Sequence, residues 1–489
     1  MDATTAMTAT NAMTATNDAS TSAALPGAVA ALMAELPDLD WITDAVRVAR
    51  LSQDFAWFSP VLDRQLKDKR ADAVARPRTE DEIRALVGAC ARHAVPITIR
   101  GSGTGNYGQT TPLAGGVVLD MSGYHALQWV RPGVARAQAG IRLGELEKQA
   151  RATGQELRCL PSTYRSATLG GLFGGGFGGV GSINYGPLAA PGNVLGLRAM
   201  TIEAEPRMVE LRGAEAMRMH HLWGTNGLVL ELEIGLAPAH PWLETLVTFD
   251  DFAPALAFAD ALAHAPGLVK REVAFLASPV PDHLAQLAEH LPVGCHAVLS
   301  LVAEPGEEAL RALVETHGGT LGYRRTAEEV RKSNRTLMEF TWNHTTLHAL
   351  KVDKSLTYLQ SSFVPGRHVE QITEMEGLLG GEVLMHAEFL RNLDGLVTCS
   401  ALQLVRFTTE ARLDEIMRIH RDRGVRINNP HVFIVEDGKA GGPLPAEVVA
   451  TKRRFDPHGL LNPGKLRDWP VRPPASPDTA PVEPAGAVA

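Results

Sequence analysis

Two glycine-rich stretches restrict this chain more than any other feature. Residues 100–109 read Arg-Gly-Ser-Gly-Thr-Gly-Asn-Tyr-Gly-Gln, and residues 168–181 read Thr-Leu-Gly-Gly-Leu-Phe-Gly-Gly-Gly-Phe-Gly-Gly-Val-Gly. Glycine lets the backbone approach a ligand closely and adopt positive φ, at an entropic cost that a plain connector need not carry. Successive exposed N–H groups in such turns form anion-binding concavities of the kind a pyrophosphate occupies. Two such loops in one chain imply a large phosphorylated cofactor held along its length by main chain.

The first loop satisfies G-x-G-x-x-G from Gly103 to Gly108, after an apolar run, Val95-Pro96-Ile97-Thr98-Ile99, that reads as a strand. A dinucleotide-binding βαβ unit needs a helix directly after that turn, so that the pyrophosphate meets its N-terminus. Here Pro112 and the pair Gly115-Gly116 intervene before a further strand at Val117-Val118-Leu119-Asp120, leaving no room for a helix. The Rossmann reading is excluded.

The coarse pattern is α+β. Thr79-Glu80-Asp81-Glu82 predicts a capping box before Ile83, Leu86, Val87 and Cys90, which share one helical face. Strands are expected at 96–100 and 116–120, a hairpin from Leu127 to Ala139 around Pro132-Gly133, and a helix over 142–152. A strand-rich stretch follows at 196–236, and alternating helix and strand from about residue 240. Residues 27–52 read as one or two short helices. A chain of 489 residues exceeds the size of one ordinary core, so two or three domains are expected. The repeat Ala6-Met7-Thr8-Ala9-Thr10-Asn11, Ala12-Met13-Thr14-Ala15-Thr16-Asn17 reads as a disordered arm over 1–25, and the Pro/Ala-rich stretch 470–489 as a tail.

A net charge of −8 offers no basic footprint for nucleic acid or anionic lipid. Cys90, Cys159, Cys295 and Cys399 show no C-x-x-C spacing and suit a reducing compartment. The apolar run near 169–180 is too short and glycine-rich to span a bilayer. A cytoplasmic location is therefore expected.

Four ordered segments carry a family resemblance: residues 100–109, the stretch Leu160 to Leu188, Leu222-Trp223-Gly224-Thr225-Asn226-Gly227 with the strand after it, and Phe455-Asp456-Pro457-His458-Gly459-Leu460-Leu461-Asn462-Pro463-Gly464-Lys465-Leu466. In these the sequence resembles the vanillyl-alcohol oxidase and p-cresol methylhydroxylase (PCMH) superfamily of FAD-linked enzymes. It looks most like the glycolate oxidase D subunit and FAD-linked D-lactate dehydrogenases. The resemblance implies a PCMH-type FAD-binding domain of two α/β subdomains over 66–238, preceded by N-terminal helices at 26–65. It further implies an α+β cap or substrate domain at 239–445 and a return to the flavin site at 446–469.

Carried over position by position, Gly101, Ser102, Gly103, Thr104, Gly105, Asn106 and Tyr107 would wrap the pyrophosphate, with Arg100 supporting the loop. Pro161, Ser162, Thr163, Thr168, Gly170 and Gly171 would run along the ribityl chain and the isoalloxazine edge. Tyr185, Gly186 and the main chain at Leu228 and Val229 would lie toward the adenine, and Asn462 would close the site. Relatives with covalent FAD place a histidine where this chain has Thr104, or a cysteine where it has Tyr164, so non-covalent FAD is expected. His344, His386 and His431 leave a distal attachment open.

The same relatives carry two histidine-bearing substrate motifs. Here one becomes Met385-His386-Ala387-Glu388 and the other Asn429-Pro430-His431-Val432, each keeping its histidine and losing its glycine–aspartate run or adjacent acid. Two surviving histidines fall short of the three protein ligands Zn²⁺ usually takes, so no catalytic metal is expected. His386 and His431 become the acid–base candidates, and Trp342-Asn343-His344, read as a strand end, forms a third cluster. For a carboxylate-binding cation, Arg406 interrupts the apolar strand Leu402–Phe407, with Arg391 and Lys351 as competitors.

The expected protein is thus an FAD-dependent oxidoreductase that removes hydride from an alcohol carbon, a 2-hydroxy acid leading and phenolic or other alcohols remaining open. Its partners would be that small molecule and an electron acceptor that the sequence does not identify. A homodimer or a partner electron-transfer subunit stays open. The alternative is a flavin-binding subunit without turnover of its own.

Overall fold

The computed structural model describes residues 26–438 and 442–471, so the arm at 1–25 and most of the tail lie outside the described residues. The fold is α+β and is built on three sheets. The first has strands β1 (Trp41–Ile42), β2 (Ala73–Ala75), β3 (Ile97–Arg100) and β4 (Val117–Asp120) in the order β1-β2-β4-β3. β2, β4 and β3 are parallel, and β1 joins the edge antiparallel. Helix Glu80–Arg92 makes the crossover. Thr79 Oγ1 caps it by accepting from the Glu82 N–H at 3.2 Å, and its acidic first turn faces the positive end of the helix dipole. The Glu82 carboxylate accepts from the Arg78 N–H at 2.6 Å, so the expected reciprocal cap is displaced by one residue. Ile83, Leu86, Val87 and Cys90 are buried against this sheet.

The second sheet holds β5 (Leu127–Arg131), β6 (Val134–Gln138), β7 (Gln155–Leu157), β8 (Val194–Met200), β9 (Met208–Arg212) and β10 (Leu228–Pro238). Its order is β5-β6-β10-β8-β9, with β7 also on β10, and every pairing is antiparallel. The hairpin at 127–139 follows the first sheet directly in the chain. It belongs to the second instead, because β6 pairs with β10 in the register Glu231↔Gln138 to Gly235↔Val134. Arg136 on β6 fixes that partnership, bonding Glu231 at 2.7 Å, Glu233 at 3.1 Å and Glu210 at 2.7 Å.

The third sheet is antiparallel with nine strands: β11 (Trp242–Phe249), β12 (Lys270–Leu276), β13 (His296–Ala303), β14 (Thr320–Arg325), β15 (Leu356–Ser362), β16 (Val383–Leu384), β17 (His386–Arg391), β18 (Val397–Arg406) and β19 (Arg426–Asn428). Its main path runs β14-β11-β13-β12-β17-β18-β15-β19. Both faces are covered, and side chains alternate between them with period two. Ala274 and Leu276 face the core shared with the second sheet, while Val273 and Phe275 face helices Phe252–His264, His368–Leu379 and Glu410–Asp422. That shared core runs from Ala135 on β6 to Leu404 on β18 and takes in Phe455 of the C-terminal helix. The third sheet therefore closes over the glycine loops. No helix among the described residues is long and apolar enough to cross a membrane.

Candidate functional site: a glycine-walled cavity between the second and third sheets

A cavity of about 950 Å³ lies between the two glycine loops and the ends of β15, β18 and β19. Its first wall is Gly101–Tyr107 with Gln109 and Thr110. The loop is held from behind by the N-terminal segment. Arg100, outside the lining, donates from Nη1 to the Gln53 carbonyl at 2.6 Å and to Thr110 Oγ1 at 3.2 Å, and from Nη2 to the Ser102 carbonyl at 3.3 Å. The Phe55 N–H donates to the Gly105 carbonyl at 2.7 Å.

Pro161, Ser162, Thr163, Thr168, Gly170 and Gly171 form the second wall, continuing to Gly178. Thr168 Oγ1 accepts from the Gly171 N–H at 3.2 Å and caps helix Leu169–Gly175, while the Gly170 N–H donates to the Ala139 carbonyl at 2.7 Å. The loops touch each other here: a Cβ on Gly101 would sit 2.1 Å from Thr168 Oγ1. Not every glycine of the second loop serves the cavity. At Gly179 a Cβ would lie 2.2 Å from the Leu160 carbonyl, where Leu160 and Val180 exchange backbone hydrogen bonds of 3.0 and 2.8 Å that close the loop.

The cavity suits a polyphosphate cofactor on its own chemistry. Asn106 Nδ2 and Trp223 Nε1 are buried donors on its wall without a partner among the described residues, a state that costs free energy unless a ligand completes it. The Tyr107 ring stacks on Trp223 at 5.3 Å, and its hydroxyl donates to Gln360 on β15, tying the loop to the third sheet.

Several expected contacts shift. Leu228 is buried in the core of the first sheet, and Val229, pointing the opposite way along β10, lines the cavity. Tyr185 and Gly186 do not line it; Pro187 and Ala189 take that place, and Tyr185 stacks under Arg158 at 5.3 Å. Asn462 also stands behind the wall. Its Nδ2 donates to the carbonyls of Gln109 at 2.9 Å and Trp223 at 2.8 Å, so it braces both lining segments. Beside it, Lys465 Nζ donates to the Gly108 carbonyl at 2.6 Å. Burial pushes that amine down to about 7, with Asp54 opposing.

The three residues expected to catalyse are placed differently. Arg406 ends β18 at the surface, its side chain 43% exposed and paired with Asp353 at 3.2 Å. Arg406 is still paired with Leu356, but its side chain reaches solvent at the strand's end and so needs no buried partner. Arg391 and Lys351 are likewise absent from the lining, Arg391 donating to the Gly395 carbonyl at 2.7 Å. His431 is buried beyond the wall, with Nδ1 2.8 Å from Ser59 Oγ and its ring edge-on to Tyr358; burial lowers it to about 4.

His386 is fully buried one layer behind the cavity, Nε2 lying 2.7 Å from Glu388 Oε1, and burial lowers it to about 4. Glu272 on β12 and Glu388 on β17 form a buried carboxyl pair beside it, both raised by burial, Glu272 further by repulsion from Glu388. Over this pair sits Trp342, whose N–H donates to Glu388 Oε1 at 2.5 Å and whose Nε1 donates to Glu272 Oε2 at 3.4 Å. Trp342 and Asn343 line the cavity and His344 does not. These residues were read as a strand end; they begin helix Asn343–Val352, with Trp342 at φ 50° just before it.

Sequence reasoning passed over Arg426, His220 and His221. Arg426 opens β19, is exposed, and is the only lysine or arginine among the described residues that lines the cavity; among those residues no ion pair or hydrogen bond engages its side chain. Its signal was readable: in Val425-Arg426-Ile427-Asn428 the apolar residues go to the core and Arg426 and Asn428 to the cavity. His220 and His221 are the lining imidazoles, the His220 ring edge-on to Phe173 at 5.5 Å.

The three-sheet fold and its glycine-walled cavity are those of a flavin-binding protein of the PCMH type. More specifically, residues 71–211 match the family described as FAD binding domain, so the chain carries that domain and FAD is its cofactor. It is similar to an uncharacterized FAD-linked oxidoreductase of Mycobacterium tuberculosis, 31% identical over 196 residues, 37% of this chain and 41% of that protein. It is also similar to the glycolate oxidase subunit GlcD of Bacillus subtilis, 27% identical over 247 residues, 48% of this chain and 52% of that one. The matched stretch thus spans about half or less of each of these relatives. Among solved structures it resembles an alkyldihydroxyacetonephosphate synthase with a TM-score of 0.66 at 15% identity, over 89% of this chain and 84% of that one, a likeness of fold.

Proposed function

We propose that this protein oxidises the alcohol carbon of a small 2-hydroxy acid, with FAD held non-covalently. Bound FAD supplies the hydride acceptor, so the chain must supply placement, a cation for the carboxylate, and a group for the O–H proton. The observation that carries the reading is Arg426, an unengaged guanidinium on the cavity wall whose planar donors match a carboxylate. Asn428 beside it, with Gln360, Ser362 and Ser400 on the neighbouring strands, adds polar groups for a hydroxyl. The imidazoles that line the same cavity, and so the candidates for taking the proton, are His220 and His221. A relative named as a glycolate oxidase subunit supports the substrate class.

Non-covalent attachment is supported by the positions from which the resemblance would attach the flavin, none of which is His220 or His221, the imidazoles that do line the wall. Thr104 occupies the loop position, and His344, His386 and His431 do not line the cavity. Cys159 is buried, and burial pushes its thiol up to about 12. Acid precipitation should therefore release all the flavin into the supernatant.

A second reading, a flavin-binding subunit without turnover of its own, is favoured by one observation: neither His386 nor His431 reaches the cavity. Anaerobic titration of the FAD-loaded protein with D- and L-2-hydroxy acids separates the two. Bleaching of the flavin by one enantiomer is expected. A flavin that no hydroxy acid bleaches would overturn the first reading in favour of the second.

A further inference from the structure

On the far face of the third sheet, away from the cavity, three side chains from two helices converge. Asp260 and His264 stand four residues apart on one face of helix Phe252–His264, and His368 is the first residue of helix His368–Leu379. Each offers one ligand atom, and these atoms all lie within 4.8 Å of one another. Asp260 Oδ1 lies 2.7 Å from His368 Nε2 and 3.0 Å from His264 Nδ1. The imidazoles stack nearly parallel, 5.8 Å apart with 13° between their planes. His368 is only 3% exposed, and its Nδ1 has no partner among the described residues.

We propose that Asp260, His264 and His368 form a binding site for a divalent transition-metal ion of the zinc class, with water as the fourth ligand. Two imidazoles and a carboxylate suit Zn²⁺, which takes three protein ligands in open tetrahedral sites. Ca²⁺ and Mg²⁺ select all-oxygen sets instead. Tetrahedral bonds of about 2.0–2.2 Å place ligand atoms roughly 3.4 Å apart, so Asp260 Oδ1 must draw back from each ring by roughly 0.4–0.7 Å, while the two imidazole nitrogens close by up to about 1.4 Å and His264 Nδ1 gives up its contact with the Asp260 carbonyl. His264 lies exposed at its helix end and has room to follow. The ion replaces the proton shared between Asp260 and His368. It ties the C-terminus of one helix to the N-terminus of the other, both packed on one face of the nine-stranded sheet. None of the three residues lines the flavin cavity, so the site is a structural clamp.

The test uses FAD-loaded protein stripped with EDTA and exchanged into metal-free buffer. Calorimetric titration with Zn²⁺ should show one equivalent bound per chain, and Co²⁺ should give a tetrahedral ligand-field spectrum. The thermal midpoint should rise by a few degrees while the flavin absorbance stays unchanged. His264→Ala, a change at an exposed helix end, should weaken Zn²⁺ binding at least tenfold without disturbing the fold, and His368→Gln should do the same. Absence of a saturable one-equivalent site overturns the proposal. So does zinc binding of wild-type strength in His264→Ala and Asp260→Asn.

Discussion

At the scale of single residues, position in a strand decides which charge can meet a ligand. Arg406 and Arg426 both belong to the third sheet, yet one ends β18 beside Asp353 while the other faces the cavity. A charge-assisted hydrogen-bonding contact contributes about 1.5–3 kcal/mol, or roughly 10- to 150-fold in affinity. Arg426→Ala should therefore raise KM for a 2-hydroxy acid at least tenfold with FAD occupancy unchanged, whereas Arg406→Ala should leave steady-state kinetics within about twofold. Equal effects of the two substitutions would remove Arg426 from the substrate site. Asn462 makes a different point. Its amide satisfies two carbonyls on separate lining segments, so Asn462→Ala leaves both without that donor at a cost of about 1–3 kcal/mol. Chemical denaturation of the apoprotein should register that loss, and FAD titration should show weaker binding, although the side chain stands behind the wall.

At the scale of elements, the Glu272–Glu388 pair joins β12 and β17 to the start of helix Asn343–Val352. Two carboxyls this deeply buried do not both ionise, and the hydrogen bonds made to Glu388 favour the charge there and the proton on Glu272. Glu388 accepts from Trp342 and lies against His386. Glu272→Gln keeps a neutral donor in place and should change stability by less than about 1 kcal/mol, whereas Glu388→Ala strands the buried Trp342 N–H at about 1–3 kcal/mol. Equal denaturant midpoints for the two variants would contradict this proton placement. None of this pairing was legible in the sequence, because Glu272 and Glu388 meet only through the β12–β17 register, Ala274↔Glu388 and Leu276↔His386. What was legible was local: the cap at Thr79, the strands at 97–100 and 117–120, the helix at 143–151 and the glycine loops themselves. The hairpin at 127–139 shows the boundary. Its turn was readable from Pro132-Gly133, but its partner, β10, lies about a hundred residues further along the chain. The candidate histidines make the same point: a motif position fixed their place in the chain, while their distance from the cavity depended on packing, His386 on β17 against Glu388 and His431 beyond β19 against Ser59.

At the scale of the whole molecule, the cavity exists only because separate stretches of chain close on it, and His431 marks one such seam. It belongs to the C-terminal part, bonds Ser59 of the N-terminal part, and packs on Tyr358 in the middle of β15. Burial in that seam lowers the imidazole from an ordinary 6.5 to about 4. The sign follows from linkage. As pH falls below 6.5 the unfolded chain takes up a proton that the folded chain still refuses, so the stability of the neutral state is present above 6.5 and drains away toward 4. At about 1.4 kcal/mol per pH unit, this one group removes roughly 3 kcal/mol across the window. Other buried groups titrate there too, among them His386 in the same direction and Glu244, raised to about 7 by burial, in the opposite one. The informative quantity is therefore a difference. Denaturant midpoints of the wild type and of His431→Gln, measured at pH 7, 6 and 5, should converge as pH falls, because only the wild type carries the imidazole. A gap that stays constant from pH 7 to 5 would mean that the ring is already protonated or reaches solvent, and that the seam is open.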